Sequence, residues 1–325
     1  MLSRAASAMY WMTRYIERAE NVARFVDVNL NVLLDVPDAE GMWESILATT
    51  GDEASFRAQH GAPAKDSVIR FLAADGGNPN AILPCLAKAR ENARSIREII
   101  SSEMWQQVNT SYLAAHDATE SGAYLRAPQE FFARVKQDSH LFDGLMEATM
   151  SHGEPWHFGR LGRLLERAEK TARLLDVKYY ALLPEPGAIE RAFDDVQWSA
   201  VLRSASALEM YRKRYHRIAA RDVADFLIFD RAFPRSVVAC LEGAEGALRA
   251  ITGTPQGVVG STAEKRLGRL RSHVAYLDIE DVVTLGLHEF LRDIMTEINY
   301  VGEGIHETFF AMRPVARPSG GAAPQ

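Results

Sequence analysis

Apolar residues recur every three or four positions along most of the chain, which is the spacing of amphipathic α-helices. Short runs that alternate apolar and polar residues, as half-buried β-strands do, are not present in the sequence. Stretches such as "ADGGNP" and "ITGTPQGVVG" separate the periodic segments. The pattern predicts an all-α fold, with first-half helices at about 3 to 35, 42 to 50, 64 to 74, 80 to 101, 103 to 116 and 128 to 150, and counterparts in the second half.

The second half of the sequence repeats the first. A displacement of 149 aligns residues 14–28 with 163–177 and gives nine identities in fifteen positions, where background composition predicts roughly one. A displacement of 155 aligns Cys85 with Cys240, and a looser match follows at 159. We predict two duplicated helical-bundle halves packed around two long Glu-Arg motif helices. The halves are residues 1–150 and 151–312, and the Pro-, Gly- and Ala-rich tail, residues 313–325, is predicted to be disordered.

The duplicated helix carries a stripe of charged residues. On a helical projection its apolar residues, among them Met12, Ile16 and Ala23, fall on one arc, and the charged residues fall on the other. The stripe of the first copy holds Tyr10, Arg14, Glu17, Arg18, Glu20 and Arg24, and that of the second copy holds Arg163, Glu166, Arg167, Glu169 and Arg173.

Three interpretations of the stripe are open. It is a solvated helix face, in which each ion pair adds about 0.3–0.5 kcal/mol; or it is a buried network that joins the two halves; or the two stripes face one cleft, where arginines bind a carboxylate or phosphate and glutamates accept protons. Such a cleft would be asymmetric, because Tyr10 and Trp11 align with Gly159 and Arg160.

Composition excludes several classes of function. The chain has 325 residues, 47% of them hydrophobic, and a net charge of −6, so it folds into a globular core and does not attract nucleic acid in bulk. We expect no membrane association and a cytoplasmic location, because charged residues interrupt the N-terminus before a signal-peptide core forms. Glu-x-x-His pairs and Gly-rich phosphate loops are absent, so neither a bound metal nor directly bound ATP is expected. A homo-oligomer remains open.

The segments "MLSRAASAMYWMTRYIERAENVARFVDV", "GRLLERAEKTARLLDV", "SSEMWQQVN" and "LGRLRS" together resemble the Alpha-E domain family of bacterial proteins. The resemblance implies an all-helical protein encoded beside, or fused to, circularly permuted ATP-grasp enzymes and often near transglutaminase-like proteins. It further implies that the family's Glu-Arg motif lies at Glu17, Arg18, Glu166 and Arg167.

From this resemblance we expect a component of a peptide- or amide-forming, or peptide-modifying, system that acts with an ATP-grasp ligase, and ATP would be bound by that partner. In this role the chain contributes a site for the acceptor or an intermediate, or it contributes acyl transfer. Glu17, Arg18, Glu166 and Arg167 are then the candidate catalytic residues, and the candidate ligand-binding residues are Tyr10, Arg14, Glu20, Arg24, Arg163, Glu169 and Arg173. The alternative is a non-catalytic helical scaffold or interaction module for the partner.

Overall fold

The computed structural model describes residues 1–35, 41–181 and 192–311, and all regular structure in these ranges is helical. The predicted all-α class is therefore confirmed. None of the helices in these ranges is long and apolar enough to cross a membrane. The α-helices are α1 Ser3–Asp35, α2 Met42–Thr50, α3 Glu53–His60, α4 Lys65–Ala73, α5 Ile82–Ser95, α6 Ser102–Glu120, α7 Ala123–Arg126, α8 Pro128–Thr149, α9 Glu154–Ala181, α10 Ala192–Ser204, α11 Leu208–Arg214, α12 Ala220–Phe229, α13 Val237–Thr252, α14 Thr262–Ala275, α15 Ile279–Leu285 and α16 Leu287–Ile305, followed by a π-helical turn His306–Phe310.

The predicted helices of the first half are all present, with two kinds of difference. Helix α5 ends at Ser95 and not near 101, because Ile96 leaves the helical conformation at φ −131° and ψ 29°. The short helices α3 and α7 were missed; α3 buries only Phe56, so no apolar periodicity marks it. The predicted disordered tail, residues 313–325, lies outside the described residues.

The helices of the second half follow in the order of the first. Helices α3 and α11 begin 155 residues apart, at Glu53 and Leu208, and α8 and α16 begin 159 residues apart, at Pro128 and Leu287. These offsets equal the displacements that align the sequences. Common ancestry and the division at residue 150 stay predictions.

Helices α1 and α9 lie side by side at the centre of the molecule. Thr13 donates a hydrogen bond of 2.8 Å to the carbonyl of Gly159, and Glu17 contacts Arg167. The residue numbers of the contacts increase in the same direction along both helices, so the helices run parallel. A Cβ at Gly162 would lie 2.3 Å from the carbonyl oxygen of Tyr10. The backbones therefore approach as closely as they do because position 162 carries no side chain.

Helix α1 is buried on both of its faces. The apolar arc is in the core as predicted, with Met12 and Ala23 fully buried. The charged stripe is buried as well, since Glu17 is 2% exposed and Glu20 is 0% exposed. A solvated face is therefore the wrong interpretation of this stripe, because α9 and α10 pack against α1 and Arg235, in the segment before α13, binds Glu17 and Glu20.

Candidate functional site: an exchanged Glu-Arg network

The two Glu-Arg motifs exchange partners between α1 and α9. Arg167 donates Nε and Nη2 to the two carboxylate oxygens of Glu17, at 2.9 and 2.7 Å. Arg18 donates the same two atoms to the carboxylate oxygens of Glu166, at 2.7 and 3.0 Å. Each glutamate is thus held in a two-bond fork by the arginine of the other motif. The two forks use the same atoms, as an approximate twofold relation between the motifs requires.

Each buried glutamate also receives a second arginine. Arg14 places Nε 2.8 Å from Oε2 of Glu166. Arg235 of the segment before α13 donates to Oε1 of Glu17 at 2.9 Å and to Oε2 of Glu20 at 3.2 Å. Two positive charges therefore surround each motif carboxylate.

The arginines hold both carboxylates in the ionised form. Burial would raise the pKa of Glu17, but the charges of Arg167 and then Arg235 outweigh it and hold the pKa well below its usual range. Burial acts on Glu166 in the same direction, and Arg18 and Arg14 outweigh it there. Both groups are therefore charged, paired and removed from water at neutral pH.

The remaining stripe pairs lie one turn further along each helix. Glu20 contacts Arg24 within α1, and Arg173 donates to Glu169 within α9 at 2.7 Å. Arg24 is 2% exposed and also contacts the hydroxyl of Ser206. Burial, followed by repulsion from other arginines, lowers the pKa of Arg24 below its usual range.

The motif arginines line two separate clefts. The first, called here the Arg14 cleft, has a volume of about 440 Å³ and is lined by Trp11, Arg14 and Arg18 of α1 and by residues of α16 and the π-helical turn. The second, called here the Arg163 cleft, has a volume of about 300 Å³ and contains Arg163 and Arg167. The aromatic residues Tyr10 and Trp11 border only the first of these two clefts.

Asn80, Arg235 and Asp143 contact the network and were not among the sequence candidates. Asn80 accepts a hydrogen bond of 2.8 Å from Nη1 of Arg18, and its aligned position is Arg235, which binds Glu17. The sequence marked Asn80 and Arg235 in one way: each directly follows a proline, and the two prolines are aligned between the halves. Asp143 of α8, 2.8 Å from Arg163, had no such signal.

The arrangement joins α1 and α9 through the side chains of the two motifs. Guanidinium donors occupy both oxygens of each motif glutamate. Each motif arginine uses at least two of its five N–H groups in these bonds, so at most three are left for other partners. Within the described ranges, no group of three or more His, Cys, Asp or Glu side chains is placed to hold a metal ion. What stays accessible is the outer edge of the arginines in the two clefts.

Comparisons with known proteins identify mycobacterial relatives and a matching family model. An uncharacterized protein of Mycobacterium bovis and one of Mycobacterium tuberculosis are each 24% identical to this chain over 325 aligned positions. The alignment covers 91% of this chain and 35% of each relative, so the chain spans about a third of the length of these relatives. No solved structure matches the chain significantly. The model of the Alpha-E family, described as a predicted α-helical domain with a conserved ER motif, matches residues 1–310, and the chain therefore belongs to the Alpha-E family.

Proposed function

We propose that this chain is a non-catalytic helical module for an ATP-grasp ligase, within a system that forms or modifies peptide-like amides. One observation carries the non-catalytic part: Glu17 and Glu166, the carboxylates of the motif, are buried and held by each other's arginines. The motif then serves to lock α1 against α9.

The geometry argues against general-base catalysis by these glutamates. A general base works best with a pKa near the operating pH and must reach the proton that it removes. The pKa values of Glu17 and Glu166 are shifted away from neutrality, and their oxygens face Arg167 and Arg18 inside the molecule. Acyl transfer through these carboxylates would require the network to open, so the scaffold role is favoured over the catalytic one.

The partner is inferred from family membership and from length. The family resemblance implies ATP-grasp enzymes as neighbours, and the mycobacterial relatives extend well beyond the region that this chain matches. A module that occurs within longer chains fits a role beside other domains. ATP would be bound by the partner, and a transglutaminase-like protein is the second partner that we propose.

The proposal is tested by reconstitution with an ATP-grasp protein from the same organism. Product formation is followed as ADP release in the presence of carboxylate and amine substrates, with and without the chain. Glu17→Gln and Glu166→Gln are compared with Glu91→Gln, which alters an exposed ion pair to Arg94. Rates are normalised to the folded fraction measured by circular dichroism.

We expect ADP release to depend on the chain and to be the same for all three variants per folded molecule. Loss of ADP release in Glu17→Gln or Glu166→Gln, with folding and partner binding intact, would make the motif catalytic and overturn the scaffold role. Activity of the ATP-grasp protein that is indifferent to the chain would overturn the partnership.

A further inference from the structure

The Arg14 cleft has donors that the network leaves free. Arg14 places Nε and Nη2 each 2.8 Å from Glu166 and gives Nη1 to the hydroxyl of Tyr10 at 3.0 Å. Arg18 gives Nε and Nη2 to Glu166 and Nη1 to Asn80 at 2.8 Å. A guanidinium carries five N–H groups, so each of the two arginines keeps N–H groups for another acceptor. Their side chains are 12% and 17% exposed, and both line the cleft.

The charges at the inner wall of this cleft do not balance. Arg14 and Arg18 share a single counter-ion, Glu166, which leaves one positive charge in excess. At the rim, Glu303 and Glu307 share Arg266 of α14, at 3.3 and 3.9 Å. An uncompensated, partly buried cation favours the binding of an anion.

The arginines of the Arg163 cleft have a carboxylate partner that the arginines of the Arg14 cleft lack. There Asp143 lies 2.8 Å from Arg163 and 3.5 Å from Arg167, so a second carboxylate covers the equivalent arginines. The residue 159 positions after Asp143 is Gly302. A Cβ at Gly302 would lie 3.9 Å from Nη1 of Arg14, which is the nearest heavy atom apart from its chain neighbours and the adjacent backbone of its own helix. The space beside Arg14 is thus open at the position whose counterpart in the other half carries Asp143.

We propose that the Arg14 cleft binds a small organic carboxylate, whose oxygens lie beside Arg14 and Arg18 near Gly302 and whose apolar part packs on Trp11 and Phe310. A monoanion matches the single excess charge of the inner wall, whereas a phosphate dianion would exceed it in a cleft that Glu303 also lines. The aromatic walls provide apolar surface for an organic group, which inorganic anions cannot use. The ligand would occupy the position that Asp143 occupies in the other half.

This proposal is independent of the partnership with an ATP-grasp protein. The cleft and the pairing of the motifs can be tested on the isolated chain. Failure of carboxylate binding therefore leaves the scaffold role unchanged, and failure of the scaffold role leaves the cleft unchanged.

The test uses the full chain labelled with 5-fluorotryptophan and 19F NMR. Trp11 lines the Arg14 cleft and Trp156 lines the Arg163 cleft, so one spectrum reports on both. The probe is N-acetyl-phenylalanine, with its neutral amide and inorganic phosphate as comparison ligands. Trp11→Phe and Trp156→Phe assign the two signals.

Gly302→Asp supplies the carboxylate that the cleft lacks, and Gly246→Asp is its matched control. Gly246 lies in α13, and a Cβ there would meet nothing within 4 Å, so the control adds the same charge to a helix elsewhere. We expect N-acetyl-phenylalanine to shift the Trp11 signal in the wild type and in Gly246→Asp. In Gly302→Asp its Kd should rise at least about tenfold, because the new carboxylate competes for the arginines.

The reciprocal variant Asp143→Gly keeps the test decisive if Gly302→Asp folds poorly. It uncovers Arg163 and Arg167, so the probe should now shift the Trp156 signal, which it leaves unchanged in the wild type. Absence of a Trp11 shift in the wild type, an equal shift with the neutral amide, or unchanged binding in Gly302→Asp would overturn the proposal. Tighter binding of phosphate than of N-acetyl-phenylalanine would overturn the assignment to carboxylates.

Discussion

Replacement of Glu166 by Gln removes the central counter-ion of one half of the network. Glu166 is 0% exposed and accepts hydrogen bonds from Arg14 and from two nitrogens of Arg18. Glutamine keeps the shape, but its NH2 group faces guanidinium donors where an oxygen accepted them. Both arginines lose their negative partner, and one hydrogen-bond acceptor becomes a donor.

The expected cost follows from the burial of the groups. Removing one partner of a buried ion pair destabilises a protein by about 3–5 kcal/mol. Arg14 and Arg18 are 12% and 17% exposed, so water reaches part of each guanidinium and the cost should lie near the lower limit. With a urea m-value of about 3 kcal/mol per molar, a loss of about 3 kcal/mol lowers the unfolding midpoint by about 1 M.

The measurement is urea unfolding at neutral pH, followed by far-UV circular dichroism and tryptophan fluorescence together, since coincident curves justify a two-state analysis. Glu91→Gln is the matched control: it makes the same chemical change in the exposed pair with Arg94 and should move the midpoint by less than about 0.2 M. A midpoint for Glu166→Gln that equals that of Glu91→Gln would refute the view that the exchanged pairs hold α1 and α9 together.

The same network predicts acid sensitivity: because both motif carboxylates have pKa values below the unfolded value of 4.5, the stability they contribute is complete above that pH and is lost as the pH falls. Urea midpoints should therefore drop below about pH 4.5; midpoints that stay constant down to about pH 3 would contradict this. Gly162→Ala should destabilise the protein by at least about 2 kcal/mol, since its Cβ would overlap the carbonyl of Tyr10, whereas Gly246→Ala should be neutral or stabilising; equal midpoints would argue against the close helix contact. Burial raises the pKa of the Cys85 and Cys240 thiols to about 12, so a thiol-specific chromogenic reagent should label neither in the folded protein and both in urea.

The sequence predicted the helices well and the partners of the charged residues poorly, for a physical reason. The helix from residue 3 to 35 follows from local periodicity, because each turn of α1 repeats the same apolar spacing. The pairing of Glu17 with Arg167 depends instead on how α1 docks on α9, which is set by the missing side chain at Gly162. Local sequence patterns do not show how closely two distant helices approach each other.

The duplication supplied the one clue to the exchange of partners. If two copies of a helix are related by an approximate twofold axis, a contact from Glu17 to Arg167 implies the reciprocal contact from Arg18 to Glu166. The duplication therefore predicts that contacts between the two motifs come in reciprocal pairs, but it does not show that the two stripes contact each other. Asp143 escaped prediction because the alignment at a displacement of 159 is loose, and Gly302 was for the same reason not recognised as its counterpart.

The exchange has a consequence for the independence of the two halves. Glu17 is buried in α1, but the charges that make its burial tolerable come from Arg167 and Arg235 of the second half. Glu166 likewise depends on Arg14 and Arg18 of the first half. A buried carboxylate without its cation costs several kcal/mol, so neither half can bury its own motif alone. Sequence repetition therefore does not make two autonomous domains here: each copy completes the core of the other, and the Glu-Arg motif is the point at which each half requires its counterpart.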